Sequence, residues 1–156
     1  MAYMQGVFKP KNPKKYRYDL QKNKRSGGKE IVYRSAWELS FLMKLDADPD
    51  VLEYCAECVI IPYTDKATGN LNRYFPDMMV VKKMPDNSVR TFIIEIKPAA
   101  QTKAPKRPTS KKSKTYIKEV FTYGKNLGKW EAAERYCALK GWTFQILTEK
   151  ELGQWS

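Results

Sequence analysis

Asp77, preceded by Pro76, interrupts one apolar run of the chain, and Glu95 and Lys97 flank Ile96 at the end of the next. Two carboxylates and an ammonium gathered at one point can hold a divalent cation and direct a water onto a phosphodiester. Whether they meet is a question of strand register. Residues 73–81 and 89–97 are rich in β-branched, aromatic and other apolar side chains, and Pro85-Asp86-Asn87-Ser88 between them is turn chemistry. An antiparallel hairpin is expected. Facing residues in such a pair have numbers that sum to a constant, so a turn centred near Asp86 or Asn87 sets Asp77 opposite Glu95 or its diagonal neighbour. Side chains alternate along a strand, which puts Thr91, Ile93, Glu95 and Lys97 on one face and Phe92, Ile94 and Ile96 on the other. Two carboxylates on a half-buried surface repel, and burying unpaired charge costs roughly several kcal/mol. Lys97 supplies one positive charge; a hard divalent cation neutralises both acids and keeps coordination sites for a phosphate oxygen and a water. An ordinary solvent face is the competing reading, but an acid inside an apolar run is poor patterning for one.

Other elements must position these residues. Residues 35–46 read as an amphipathic helix, opened by Ser35 as N-cap with Glu38 three residues on and stopped before Pro49. That spacing completes a capping box, a structural role for Glu38 of about 1 kcal/mol. Residues 54–62 read as a first strand, followed by a turn at Gly69-Asn70; Glu57 on that strand suits an ion pair with a basic neighbour. Residues 115–139 carry helical spacing, with Gly124 and Gly128 suggesting two helices joined by a short break. Gly141 is a candidate C-cap, residues 142–147 alternate as a last strand, and residues 148–152 form a final turn.

A chain of 156 residues has the length of one domain, and its formal net charge of +12 points to a polyanionic partner, of which nucleic acid is the obvious one. The charge is clustered. Residues 1–30 form a basic N-terminal arm ahead of a domain over 31–156, the arm suited either to DNA or to an acidic protein. A second cluster, Lys103, Lys106, Arg107, Lys111, Lys112 and Lys114, follows the Glu95 strand in a Pro-rich stretch, where a loop gripping the DNA backbone would be useful. No recognition helix with base-reading side chains is evident, so little sequence preference is expected. Three cysteines and the lack of a signal-peptide pattern suggest a reducing compartment, and no apolar run reaches membrane-spanning length. Cys55 and Cys58 have half of a zinc-site spacing, but strand alternation would place them on opposite faces and the chain contains no histidine. That absence also removes the commonest general base, leaving metal-activated water as the expected nucleophile.

PD followed by ExK on adjacent strands resembles the PD-(D/E)xK nuclease superfamily, whose core runs helix, three strands, helix, strand. Nearly the whole chain is similar to the head-completion nucleases of T4-like tailed phages. The likeness is carried by Tyr33-Arg34-Ser35 with Trp37-Glu38, Ile61-Pro62-Tyr63, Arg73-Tyr74-Phe75 leading to Asp77, the run from Phe92 to Pro98, and Ile146-Leu147-Thr148-Glu149. A more distant likeness is to TnsA-type transposition endonucleases, which share the early helical glutamate. The resemblance implies an α/β fold with a mixed sheet and a restriction-endonuclease-like core of helix-strand-strand-strand-helix-strand. It implies a Mg²⁺-dependent deoxyribonuclease, with Mn²⁺ able to substitute, in which Asp77, Glu95, Glu38 and the Ile96 carbonyl hold the metal and Lys97 orients the attacking water. The implied partners are double-stranded DNA, phage portal or neck proteins and a second copy of the chain. The implied setting is the host cytoplasm during assembly, or the head vertex of the virion. Two other readings stay open: a structural neck adaptor with a vestigial nuclease fold, and a subunit of a transposition or repair endonuclease.

Overall fold

The computed structural model describes residues 3–22, 28–107 and 113–155. Strands β1 (Tyr3–Phe8) and β2 (Ile31–Ser35) pair as an antiparallel ribbon that runs directly into helix α1 (Ala36–Ala47). After β3 (Val51–Ala56), the short strands β4 (Ile61–Thr64) and β5 (Leu71–Tyr74) form a second ribbon. Strands β6 (Met78–Lys83) and β7 (Val89–Ile96) make the expected hairpin, the long helix α2 (Ser113–Lys140) crosses over, and β8 (Thr143–Leu147) returns parallel to β7. The main sheet has the order β3-β6-β7-β8. Without the two ribbons the chain reads helix, three strands, helix, strand, and the parallel β7–β8 pair requires the crossover that α2 provides.

The hairpin register runs from Met78 opposite Ile94 to Lys83 opposite Val89. One further step sets Asp77 opposite Glu95. The turn is closed by the Asn87 N–H donating to the Met84 carbonyl, with Asn87 at φ +67°, a left-handed conformation that Asn tolerates better than most residues. Phe92 on one face of β7 meets Trp155, whose ring also stands edge-on to Phe41 of α1, so this face belongs to the core shared with α1.

Four expectations are corrected. The strand expected over 54–62 ends at Ala56 because Glu57 takes φ +50°, which a non-glycine residue rarely adopts and a strand cannot continue through. Beyond that break the chain leaves the main sheet for the second ribbon, and strand alternation no longer governs Cys55 and Cys58: both are buried. The strand expected over 73–81 is likewise two strands, separated at Phe75-Pro76-Asp77, where proline has no N–H for a ladder. α2 is one helix, not two. A Cβ on Gly128 would lie 2.0 Å from the Thr64 carbonyl oxygen and one on Gly124 3.1 Å from Ala67 Cβ. These glycines let the β4 backbone and the turn after it press onto the helix, a gain in packing that outweighs a propensity cost of about 1 kcal/mol each.

The segment expected as a separate arm is built into the body through residue 22. Phe8 and Tyr16 are buried, and the Asp46 carboxylate, at the C-terminal end of α1, accepts the Lys11 N–H at 3.0 Å, the Asn12 N–H at 3.3 Å and the Tyr54 hydroxyl at 3.0 Å. An acid at that helix end is disfavoured by the dipole, so these donors are what hold it there. Lys15 Nζ adds bonds to the Asp46 and Asp48 carbonyls at 3.0 and 2.7 Å, satisfying carbonyls that the helix end leaves open. Of the basic residues in this stretch, Lys24 and Arg25 lie outside the described residues.

Candidate active site

The break that hands the chain from β5 to β6 leaves Asp77 just ahead of the hairpin, free of a ladder position. Its Oδ2 accepts the Ile96 N–H at 2.7 Å, so the carboxylate is fastened to the backbone between Glu95 and Lys97. Its own carbonyl accepts the Glu57 N–H at 3.0 Å, which ties the two chain breaks together. Glu95 is 6% exposed. The Tyr74 hydroxyl donates to Glu95 Oε1 at 2.8 Å, and Lys97 Nζ lies 3.7 Å from Oε2. The two oxygens of one acid therefore face different partners.

Burial pushes the Asp77 carboxyl well above the usual range, and the charges of Glu95 and Glu38 push it further, against the opposing pull of the Ile96 N–H and Lys97. Burial also raises Glu95, opposed by Lys97, the Tyr74 hydroxyl and Lys129. Glu38 is raised by burial first, with Glu57 and Glu95 adding to the shift and the Arg34 N–H and guanidinium opposing it. Three acids thus share one electrostatic field.

Glu38 also caps. Ser35 Oγ accepts the Glu38 N–H at 3.1 Å, and Glu38 Oε2 accepts the Arg34 N–H at 3.1 Å, a capping box displaced by one residue from its usual backbone donor. Its Oε1 has no hydrogen bond among the described residues. Arg34 Nη1 stands 2.6 Å from Glu57 Oε1, the ion pair that spacing suggested for Glu57.

Among the described residues, no three acidic or thiol side chains stand close enough to chelate a metal by themselves. A hard cation would draw on Asp77 and Glu95, with backbone carbonyl, water and substrate oxygens completing the set. The donors suit such an ion: every candidate atom is oxygen, and when ionised the two acids carry more negative charge than Lys97 alone offsets.

Two residues that sequence reasoning passed over face this site. Tyr74 fixes the Glu95 carboxylate, and Lys129 of α2 places its ammonium 5.5 Å from the centre of the Tyr74 ring and 6.0 Å from that of Tyr63. Burial lowers the Lys129 pKa, with Glu95 acting to raise it. The available signal for Lys129 was a lysine on a helical stretch where Asn126, Gly128, Trp130, Ala132 and Ala133 turn inward; for Tyr74 it was closeness to Asp77 in sequence. Of the second basic cluster, Lys103, Lys106, Arg107 and Lys114 are exposed, with the Arg107 guanidinium 5.7 Å from the centre of the Tyr116 ring; Lys111 and Lys112 lie outside the described residues.

A mixed sheet whose central hairpin brings a buried and a half-buried acid together beside a lysine is the framework of an endonuclease domain, and the chain belongs to the family described as TnsA-like endonuclease N terminal, which matches residues 48–149. That span includes Asp77, Glu95 and Lys97 and begins after Glu38. Over 155 residues, covering 97% of this chain and 95% of the other, the sequence is 39% identical to the head completion nuclease of Enterobacteria phage T4. No helix among the described residues is long and apolar enough to cross a membrane.

Proposed function

We propose that this nuclease is a PD-(D/E)xK enzyme that hydrolyses DNA phosphodiesters with a divalent cation and little sequence preference, and that it acts during phage head completion. The observation that carries this reading is the fastening of Asp77 to the Ile96 N–H beside Glu95, with Lys97 Nζ 3.7 Å from Glu95. Asp77 and Glu95 would hold Mg²⁺ with the Ile96 carbonyl, and Glu38, which does not stand with them as a third chelating acid, would join through a bound water. When bound, the cation supplies Lewis acidity and lowers the pKa of a coordinated water.

The chain's own groups do the remaining work. The Ile96 N–H and the Tyr74 hydroxyl fix the two carboxylates in place before substrate arrives. Lys97 orients the attacking water and stabilises negative charge developing on the phosphoryl oxygens, and Lys129 adds a second positive charge on the same side of the site. Lys103, Lys106, Arg107, Lys111, Lys112 and Lys114 hold the flanking backbone. Their contribution falls steeply with salt, as counterion release requires.

The extended likeness to a head completion nuclease supports a role in processing DNA at a filled phage head, with portal or neck proteins as partners, in the host cytoplasm or at the virion vertex. A second copy of the chain would allow both strands to be cut. The test is cleavage of supercoiled plasmid by the purified protein. Mg²⁺ or Mn²⁺ should support nicking and linearisation, EDTA should stop both, and Asp77→Ala, Glu95→Ala and Lys97→Ala should be folded and inactive. Full cleavage by Asp77→Ala or Lys97→Ala, or undiminished cleavage in EDTA, overturns the mechanism.

A further inference from the structure

Beyond Lys97 the chain makes a short 3-10 turn (Ala99–Thr102), and between this turn and the first half of α2 lies a cleft of about 410 Å³. That volume falls within the range of about 300–1,000 Å³ typical of small-molecule sites. Gln101, Lys103, Lys118, Glu119, Tyr123 and Asn126 line it. Asn126 is the unusual member. It is 4% exposed and borders the cleft. A side-chain amide at the edge of a cleft offers a donor pair and an acceptor to whatever enters.

The surrounding chemistry selects the entrant. Lys103 and Lys118 are exposed cations suited to phosphates. Glu119 disfavours a phosphate deep in the cleft. Tyr123, half-buried against the core, offers an aromatic ring for stacking. Cations outside, an aromatic wall and an amide within match a nucleotide whose base points inward and whose backbone stays outside. A base in a continuous duplex has its edges paired and its faces stacked, so only an unpaired or extruded base can enter. Lys97 and Ala100 are three residues apart, a span of at most about 10 Å, which places the cleft within a few nucleotides of the proposed cutting site.

We propose that this cleft receives an unpaired nucleotide of the DNA substrate, its base held by the amides of Asn126 and Gln101 against Tyr123, so that the nuclease favours DNA with single-stranded character beside the cut. The inference rests on the nuclease reading above and adds a substrate class to it.

The test compares Mg²⁺-dependent cleavage of a blunt duplex with that of a forked duplex of the same sequence carrying an unpaired arm. The wild type should cut the fork at least about tenfold faster. Thr122→Trp fills the cleft from an exposed helix position, and Asn126→Leu removes the amide; each should abolish the preference while leaving blunt-duplex cleavage within about twofold. Thr122→Trp also keeps the test decisive if Asn126→Leu misfolds. Equal cleavage of both substrates by the wild type, or a preference that survives Thr122→Trp, overturns the cleft and leaves the nuclease intact. Failure to cut either substrate overturns the nuclease reading and the cleft with it.

Discussion

Helix α1 carries an acid near each end, Asp46 buried and Glu38 half-buried, and the two are treated in opposite ways. Asp46 is saturated: two backbone N–H groups, the Asn12 side chain and the Tyr54 hydroxyl converge on it, and it joins the leading segment, α1 and β3. Glu38 receives one backbone N–H and lies in the repulsive field of Glu57 and Glu95, beside an Asp77 likewise held by a single N–H. A buried carboxylate with all its bonds made is a structural fastener. A group of them left short of positive charge repels itself, and that repulsion is what the proposed cation would relieve.

Three substitutions, one of them followed across pH, break or sharpen this contrast. Asp77→Asn keeps an oxygen for the Ile96 N–H and removes the charge, so it should lower plasmid cleavage by about 10³-fold, the scale of losing a main electrostatic element of a site, while the far-ultraviolet spectrum is unchanged. Asp46→Ala should do the reverse. Stranding the Tyr54 hydroxyl and the Lys11 and Asn12 N–H groups should cost about 3 kcal/mol in urea unfolding, with cleavage per folded molecule retained.

The third outcome depends on pH. A carboxylate whose folded pKa is raised contributes stability below its unfolded pKa of about 4 and loses it as pH rises through the folded value. Asp77→Asn should therefore melt with the wild type near pH 4 and increasingly above it toward pH 8 in EDTA. Mg²⁺ at about 100 times its dissociation constant should recover about 2.7 kcal/mol for the wild type alone. A metal-free wild type that melts above Asp77→Asn at pH 8 would show that the cluster is not strained. The smallest effect is expected from Tyr74→Phe, which removes one bond to Glu95: about tenfold in turnover, with DNA affinity unchanged in a gel-shift titration.

The hairpin was legible because a two-residue side-chain period and one turn nearly fix the facing pairs, which is why the sequence sets Asp77 opposite Glu95 or its diagonal neighbour, and the register then selects Glu95. The capping box at Ser35 and Glu38 was legible for the same local reason. What escaped depended on distant neighbours. Nothing near Gly128 says that the Thr64 carbonyl will press against it, so a glycine serving close approach reads as a helix break. The strand break at Glu57 is a backbone choice stabilised by Asp77, twenty residues away. Tyr74 and Lys129 meet Glu95 only after a second ribbon and a crossover helix are in place, and a period-based reading cannot see either.

The clasp at Asp46 has a practical consequence for anyone probing the charge of the leading segment. Deleting residues up to Lys15 would strip out cationic side chains and at the same time unlatch the end of α1, so weakened DNA retention in a truncated protein would have two causes. Exchanging individual lysines for glutamine while sparing Lys15 and the backbone around Asn12 separates them.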